Sequence, residues 1–92
     1  MAVPCKEFSP GKLVATPGVL ARIDREVLLA SYVRHLCCDW GDLSQPDRRE
    51  NDRALTHGGR LLSAYHDRLG QKFWIITEAD RSATTFLLPE EY

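Results

Sequence analysis

The sequence predicts an α+β domain: a short N-terminal strand, two to three helices, then a three-stranded antiparallel β-meander, in the order β-α-α-α-β-β-β. Two observations carry this. Between Asp24 and about Cys37 apolar residues recur at three- and four-residue spacing, as in a helix with one buried stripe. From Arg60 the period changes to two, and residues 60–66, 71–78 and 83–88 read as strands joined by Asp67-Arg68-Leu69-Gly70 and Ala79-Asp80-Arg81-Ser82.

The elements follow in order. Residues 1–11 carry two prolines and a glycine and form a flexible arm; residues 12–92 are the single α+β domain. Residues 12–16 are a short strand. Thr16-Pro17 is an N-cap followed by proline at the first helical position, where a missing N–H costs nothing, so a short helix runs from Gly18 to about Ile23. Asp24 caps a second helix reaching about Cys37, with Leu28/Leu29, Tyr32/Val33 and Leu36 as its buried stripe. Ser44-Gln45-Pro46-Asp47 has the form of a capping box with Asp for Glu, which starts a third, very polar helix over residues 47–56. Gly58-Gly59 ends it.

One register is expected to serve all three C-terminal strands. Pairing Ile75 with Phe86 and with Leu62 places Leu62, Ala64, Phe73, Ile75, Phe86 and Leu88 on a core face under the helices. Leu61, Ser63, Tyr65, Trp74, Ile76, Thr85 and Leu87 then share the other face. Leaving Trp74, Ile76 and Leu87 wet would forfeit about 1.5–3 kcal/mol for each large side chain. The arm or a homodimer contact through the Trp74/Ile76 face is therefore expected to cover them. Pro89 stops the last strand.

Bulk properties narrow the function classes. Hydrophobic content of 43% and charged content of 27% are those of a globular chain, and a formal net charge of -1 does not announce a nucleic-acid binder. No apolar run approaches the roughly 20 residues of a membrane span. Three cysteines, Cys5, Cys37 and Cys38, are an odd number with two adjacent, which points to a reduced, cytoplasmic protein.

Three clusters carry candidate chemistry. His35, Cys37, Cys38 and Asp39 are ligand types for zinc, but structural zinc takes two separated pairs and only His57 and His66 follow, so no metal and no cofactor are implied. Asp39-Trp40-Gly41-Asp42 is either a recognition loop or an Asx-turn with an anchoring tryptophan. In Glu78-Ala79-Asp80-Arg81-Ser82, Asp80 can bond its own turn while Arg81 reaches for an anion. Asp39, Trp40, Asp42, Asp80 and Arg81 are the candidate binding residues. No glycine-rich phosphate loop is present, and Ser63 lies mid-strand rather than on a nucleophile elbow.

Several of these blocks together resemble a known family. His35 to Leu43, Asn51-Asp52-Arg53-Ala54-Leu55, Gly59 to Tyr65, Trp74 to Ser82 and Leu87 to Tyr92 are similar to small "plasmid-related" proteins of proteobacterial plasmids and integrative elements. This chain has Cys38 where that family has glycine before Asp-Trp-Gly. Some members are labelled type I restriction subunit M, yet a methylation subunit needs a larger domain and an Asn-Pro-Pro-Tyr type motif, and here Asn51 is followed by Asp52. The resemblance supplies a mobile-element setting and no activity. The expected function is a non-enzymatic accessory or interaction protein of a mobile genetic element, binding a protein or nucleic-acid partner through the Trp40 loop and the Asp80/Arg81 turn. The alternative is a small metal-independent RNase of barnase/RelE-like architecture, using His57 or His66 with Arg60 and Arg81.

Overall fold

The computed structural model describes residues 7–92. The elements are β1 (Lys12–Ala15), α1 (Pro17–Arg22), α2 (Arg25–Leu36), α3 (Gln45–His57), β2 (Leu61–His66), β3 (Lys72–Thr77), β4 (Ala83–Leu87) and a terminal 3-10 turn, Pro89–Glu91. The α+β class and element order are as expected. The sheet is larger than the expected meander: β1 joins β4 in parallel, giving a four-stranded mixed sheet of order β1-β4-β3-β2.

The helix starts follow from the caps. Thr16 Oγ1 accepts from the Val19 N–H at 3.2 Å with Pro17 in the first turn, and Ser44 Oγ accepts from the Asp47 N–H at 3.4 Å. Asp24 occupies the cap position of α2 without a side-chain hydrogen bond. Val19, Ile23 and Leu28 pack on Tyr65, Phe73, Ile75, Phe86 and Leu88 to form the main core. A second cluster of Trp40, Ala54 and Leu61 joins α3 and the Trp40 loop to the β2 edge.

The β3–β4 register is the expected one, with Ile75 opposite Phe86. β2 is shifted by one: Ile75 faces Ser63, so Leu61, Ser63 and Tyr65 point to the core and Leu62 and Ala64 do not. The cause is local. Asp67 Oδ1 accepts from the N–H groups of Leu69 and Gln71, and the Asp67 N–H donates to the Gln71 carbonyl. That closes a five-residue loop where four residues were expected, and a one-residue change exchanges the faces of a strand.

α2 also departs from its expected stripe. Its buried side carries Leu28, Ser31, His35 and Leu36. Leu29 is 59% exposed.

Residues 1–6, which include Cys5 and the first part of the expected flexible arm, lie outside the described residues. The described remainder is docked. Phe8 meets His35 edge-on at 5.3 Å and stacks on Trp40 at 6.5 Å, and the Pro10 carbonyl accepts from the Thr84 hydroxyl at 2.7 Å. Gly11 then turns into β1 with φ of 67°, its Cα so close to the Ser82 backbone that no Cβ fits.

The face of Trp74 and Ile76 is covered in part by the C-terminal tail. Tyr92 contacts the Trp74 ring at 5.6 Å, and Arg60 Nη1 donates to the Tyr92 hydroxyl at 2.6 Å. Ile76, one row along, is 3% exposed.

Candidate interaction surface

The buried polar chemistry is organised by His35. Its Nδ1 meets Ser63 Oγ, its Nε2 meets Thr77 Oγ1 at 2.9 Å, and Thr77 Oγ1 meets Thr84 Oγ1 at 2.7 Å. The chain ends on the Pro10 carbonyl, which can only accept. Thr84 therefore spends its proton on Pro10, Thr77 donates to Thr84, and His35 Nε2–H donates to Thr77. Nδ1 is left to accept from Ser63, which fixes a neutral Nε2–H tautomer. Burial pushes the His35 pKa down to about 4. Although Ser63 and His35 have the spacing of a nucleophile and base, both are fully buried, with Phe8 and Trp40 against the imidazole. The pair is core.

The other proposed zinc-type residues are dispersed. Among the described residues no group of three or more His, Cys, Asp or Glu could hold a metal ion. Cys37 is disulfide-bonded, which departs from the expected reduced thiols and removes that argument for a cytoplasmic location. Cys38 is a free thiol whose pKa burial pushes up to about 11, so it is protonated rather than nucleophilic. It adopts a left-handed φ of 63°, the conformation glycine supplies most easily. No helix among the described residues is long and apolar enough to cross a membrane.

Asp39, Trp40 and Asp42 are used internally. Arg34 Nε and Nη2 donate to the two Asp39 carboxylate oxygens at 2.7 and 3.3 Å and hold that carboxyl below its usual range. Trp40 is 2% exposed and its Nε1–H donates to Asp52 Oδ1 at 3.2 Å. Of the two sequence readings, the geometry matches the anchoring tryptophan and not a recognition side chain. Asp42 pairs with His66 Nδ1 at 2.7 Å.

This loop has a specific task at the outer edge of β2. The Ala64 N–H donates to the Trp40 carbonyl at 3.1 Å, and the Asp42 N–H donates to the Ala64 carbonyl at 2.7 Å. Gly41 sits between them at φ of 74°, against the Ala64 oxygen where a Cβ would collide. Asn51 from α3 treats Leu62 the same way, with its side chain bonded to both backbone groups. The β2 edge is closed at Leu62 and Ala64.

The turn residues are likewise occupied. Asp80 Oδ1 accepts from the Ser82 N–H at 3.0 Å, as expected of a carboxylate bonding its own turn. Arg81, at φ of 62°, donates to the carbonyls of Gly59, Ala54, Glu78 and Ala79 at 2.7, 3.1, 3.0 and 3.3 Å. It ties the end of α3 to the β3–β4 turn instead of reaching for an anion. Arg60 faces Tyr92 and Glu78 at one end of β2, and His66 faces Asp42 at the other. Six residues of strand separate them by about 20 Å, too far for one phosphate. His57, exposed, is the last residue of α3. The structure does not gather the four RNase candidates.

What remains open is β1. The N–H groups of Lys12 and Thr16 donate to Ser82 and Phe86 of the β4 side at 3.0 Å each. The alternate residues Leu13 and Ala15 therefore turn their N–H and C=O groups away from the sheet, where no described residue meets them. Leu13 is 47% exposed, and Val14 and Leu20 are also exposed. Beside this edge lies a groove of about 310 Å³ lined by Ala15, Leu20, Arg25, Leu28, Leu29 and Phe86. It continues along α2 past Leu29, Ala30 and Val33.

Sequence reasoning missed this surface. The available signal was a second apolar stripe on α2, Leu29 and Val33 four residues apart, on the side away from His35.

No protein-family model, curated protein or solved structure matches the chain.

Proposed function

We propose that this chain is a non-enzymatic interaction protein, an accessory of a mobile genetic element as its sequence resemblance implies, and that a protein partner docks along β1 and the adjoining groove. The observation that carries the reading is the asymmetry of the sheet. One edge is closed at Leu62 and Ala64 by Asn51, Trp40 and Asp42, while on the other no described residue meets the outward groups of Leu13 and Ala15, which lie beside exposed leucines. Folded proteins normally cover or blunt such an edge. An extended strand added there would take backbone hydrogen bonds from Leu13 and Ala15 and send alternate side chains into the groove.

A photo-crosslinking amino acid placed at Leu13 or Leu29, in cells that express the protein, should give a discrete adduct. The same group at Arg49, exposed on α3, should not. Equal labelling at all three positions would defeat the reading. So would cleavage of labelled RNA in EDTA that is lost on His57→Ala or His66→Ala, since that is the behaviour of the RNase alternative.

A further inference from the structure

We infer that the occupant of the open edge is a second copy of the chain, joined β1 to β1 in antiparallel fashion about a two-fold axis at Val14. This rests on the interaction reading above and names its partner.

The register follows from which groups point outward. Leu13 and Ala15 carry the N–H and C=O groups that no described residue meets, and in an antiparallel pair two residues exchange both bonds when they stand directly opposite. Placing Leu13 of each copy opposite Ala15 of the other satisfies all of these groups with four hydrogen bonds. Val14 then faces its own symmetry mate as a non-hydrogen-bonded pair, and Lys12 faces Thr16.

Side chains agree with this register on both faces. Residues directly opposite each other project to the same face. Leu13 of one copy thus enters the other copy beside Ala15, which is a wall of the groove lined by Leu20, Leu28, Leu29 and Phe86. An exposed leucine and an apolar groove are offset along one strand by the spacing a two-fold axis requires. On the opposite face Lys12, which has no ion pair among the described residues, arrives at Thr16. The Thr16 hydroxyl already donates to Glu91 Oε1 at 2.6 Å, so the incoming ammonium meets a carboxylate. That carboxylate is held below its usual range by the Thr16 hydrogen bond.

The assembly also closes. Pairing consumes both β1 edges and yields one continuous eight-stranded sheet, whose two outer edges are the β2 strands clasped by Asn51, Trp40 and Asp42. The clasp on Leu62 and Ala64 then opposes further strand addition at the outer edges.

Sedimentation of the purified chain over a wide concentration range should report twice the chain mass. Leu13→Asp should shift it to the monomer with an unchanged circular dichroism spectrum. The register is tested by Val14→Cys: a symmetric non-hydrogen-bonded pair holds its Cα atoms about 4.5 Å apart, within disulfide reach. Mild oxidation should therefore give a covalent dimer from Val14→Cys much faster than from Leu13→Cys or from the unaltered chain with its Cys38 thiol. A dimer that survives Leu13→Asp, with no Val14→Cys link, would overturn the inference by placing the contact elsewhere. A monomer at every concentration would overturn it too. If a crosslinker at Leu13 still captures another protein in that case, the interaction reading stands alone; with no adduct either, both fall.

Discussion

The carboxamide of Asn51 clasps the backbone of Leu62 from both sides: Nδ2 donates to the Leu62 carbonyl at 2.6 Å, and Oδ1 accepts from the Leu62 N–H at 3.0 Å. A single buried side chain thus does for the β2 edge what a neighbouring strand would do. Asn51→Ala removes both bonds and leaves two backbone groups without partners, a cost of about 2–3 kcal/mol. The urea midpoint should fall accordingly. Light scattering should also rise on standing, because the uncovered edge becomes a template for pairing. Loss of stability with no change in scattering would mean that the loop alone suffices to guard the edge.

His35 makes stability depend on pH in a stated direction. Its folded pKa, depressed to about 4 by burial, lies below the ordinary 6.5, so between those values the unfolded chain binds the extra proton. Stability is then full above about pH 6.5 and falls as pH drops toward 4, by on the order of 3 kcal/mol. The carboxylates held low, Asp39 by Arg34 and Glu91 by Thr16, begin to lose their contribution only as pH falls into the ordinary carboxylate range, at about 4. The two windows are therefore separable. Denaturation curves between pH 7 and pH 4 should show this slope in the unaltered chain and a flat response in His35→Gln; an equal slope in both would remove His35 as its cause.

Arg81 distinguishes a structural turn from a binding one. Its guanidinium is spread over carbonyls from α3, from Gly59 in the α3–β2 connection and from its own turn. Arg81→Ala should cost about 2–3 kcal/mol, the range for a group making charge-assisted hydrogen bonds. Arg81→Lys should restore only part of it, since a single ammonium cannot span carbonyls that a planar fork reaches together. Thermal denaturation of the two variants checks this. Unchanged melting in Arg81→Ala would return Arg81 to the surface as a ligand-facing residue.

Much of the fold was legible where the signal is local. Thr16-Pro17 and Ser44 to Asp47 announce two helix starts through caps, and the alternation of Phe73, Ile75 and Phe86 fixes the β3–β4 register. What escaped depends on contacts distant in sequence. The face of β2 turned on the Asp67 side chain closing its loop. Ser63 and Thr77 are polar residues buried only because His35 arrives from α2 to satisfy them. The parallel β1–β4 pairing spans most of the chain. The site was less legible than the fold for the same reason. Asp39, Trp40 and Arg81 look exposed and reactive when partners are unknown, and each proves to be held by a backbone or side-chain group its neighbours in sequence do not reveal. Leu13 and Leu29 look like ordinary core residues until the helix face and the strand order are known.

Tyr92 provides the last test, because it occupies the face that the sequence pattern assigned to a contact between two copies. Its ring sits edge-on to Trp74, and its hydroxyl and ring engage Arg60. The residue is nonetheless 68% exposed, so its contribution is small. An aromatic pair adds about 0.5–1.5 kcal/mol, less when it is solvent-exposed. Deleting Tyr92 should therefore lower stability by about 1 kcal/mol or less while wetting Trp74. Two tryptophans report on the result. Trp40 is sealed between Phe8 and His35 and should keep its emission and its protection from acrylamide. Trp74 should shift to longer wavelength and become quenchable. If instead the deletion leaves Trp74 dark to quencher and raises the sedimenting mass, the bared face has found a second copy. The tail then acts as a competitor for that face, and the contact expected from the sequence pattern exists once the tail is gone.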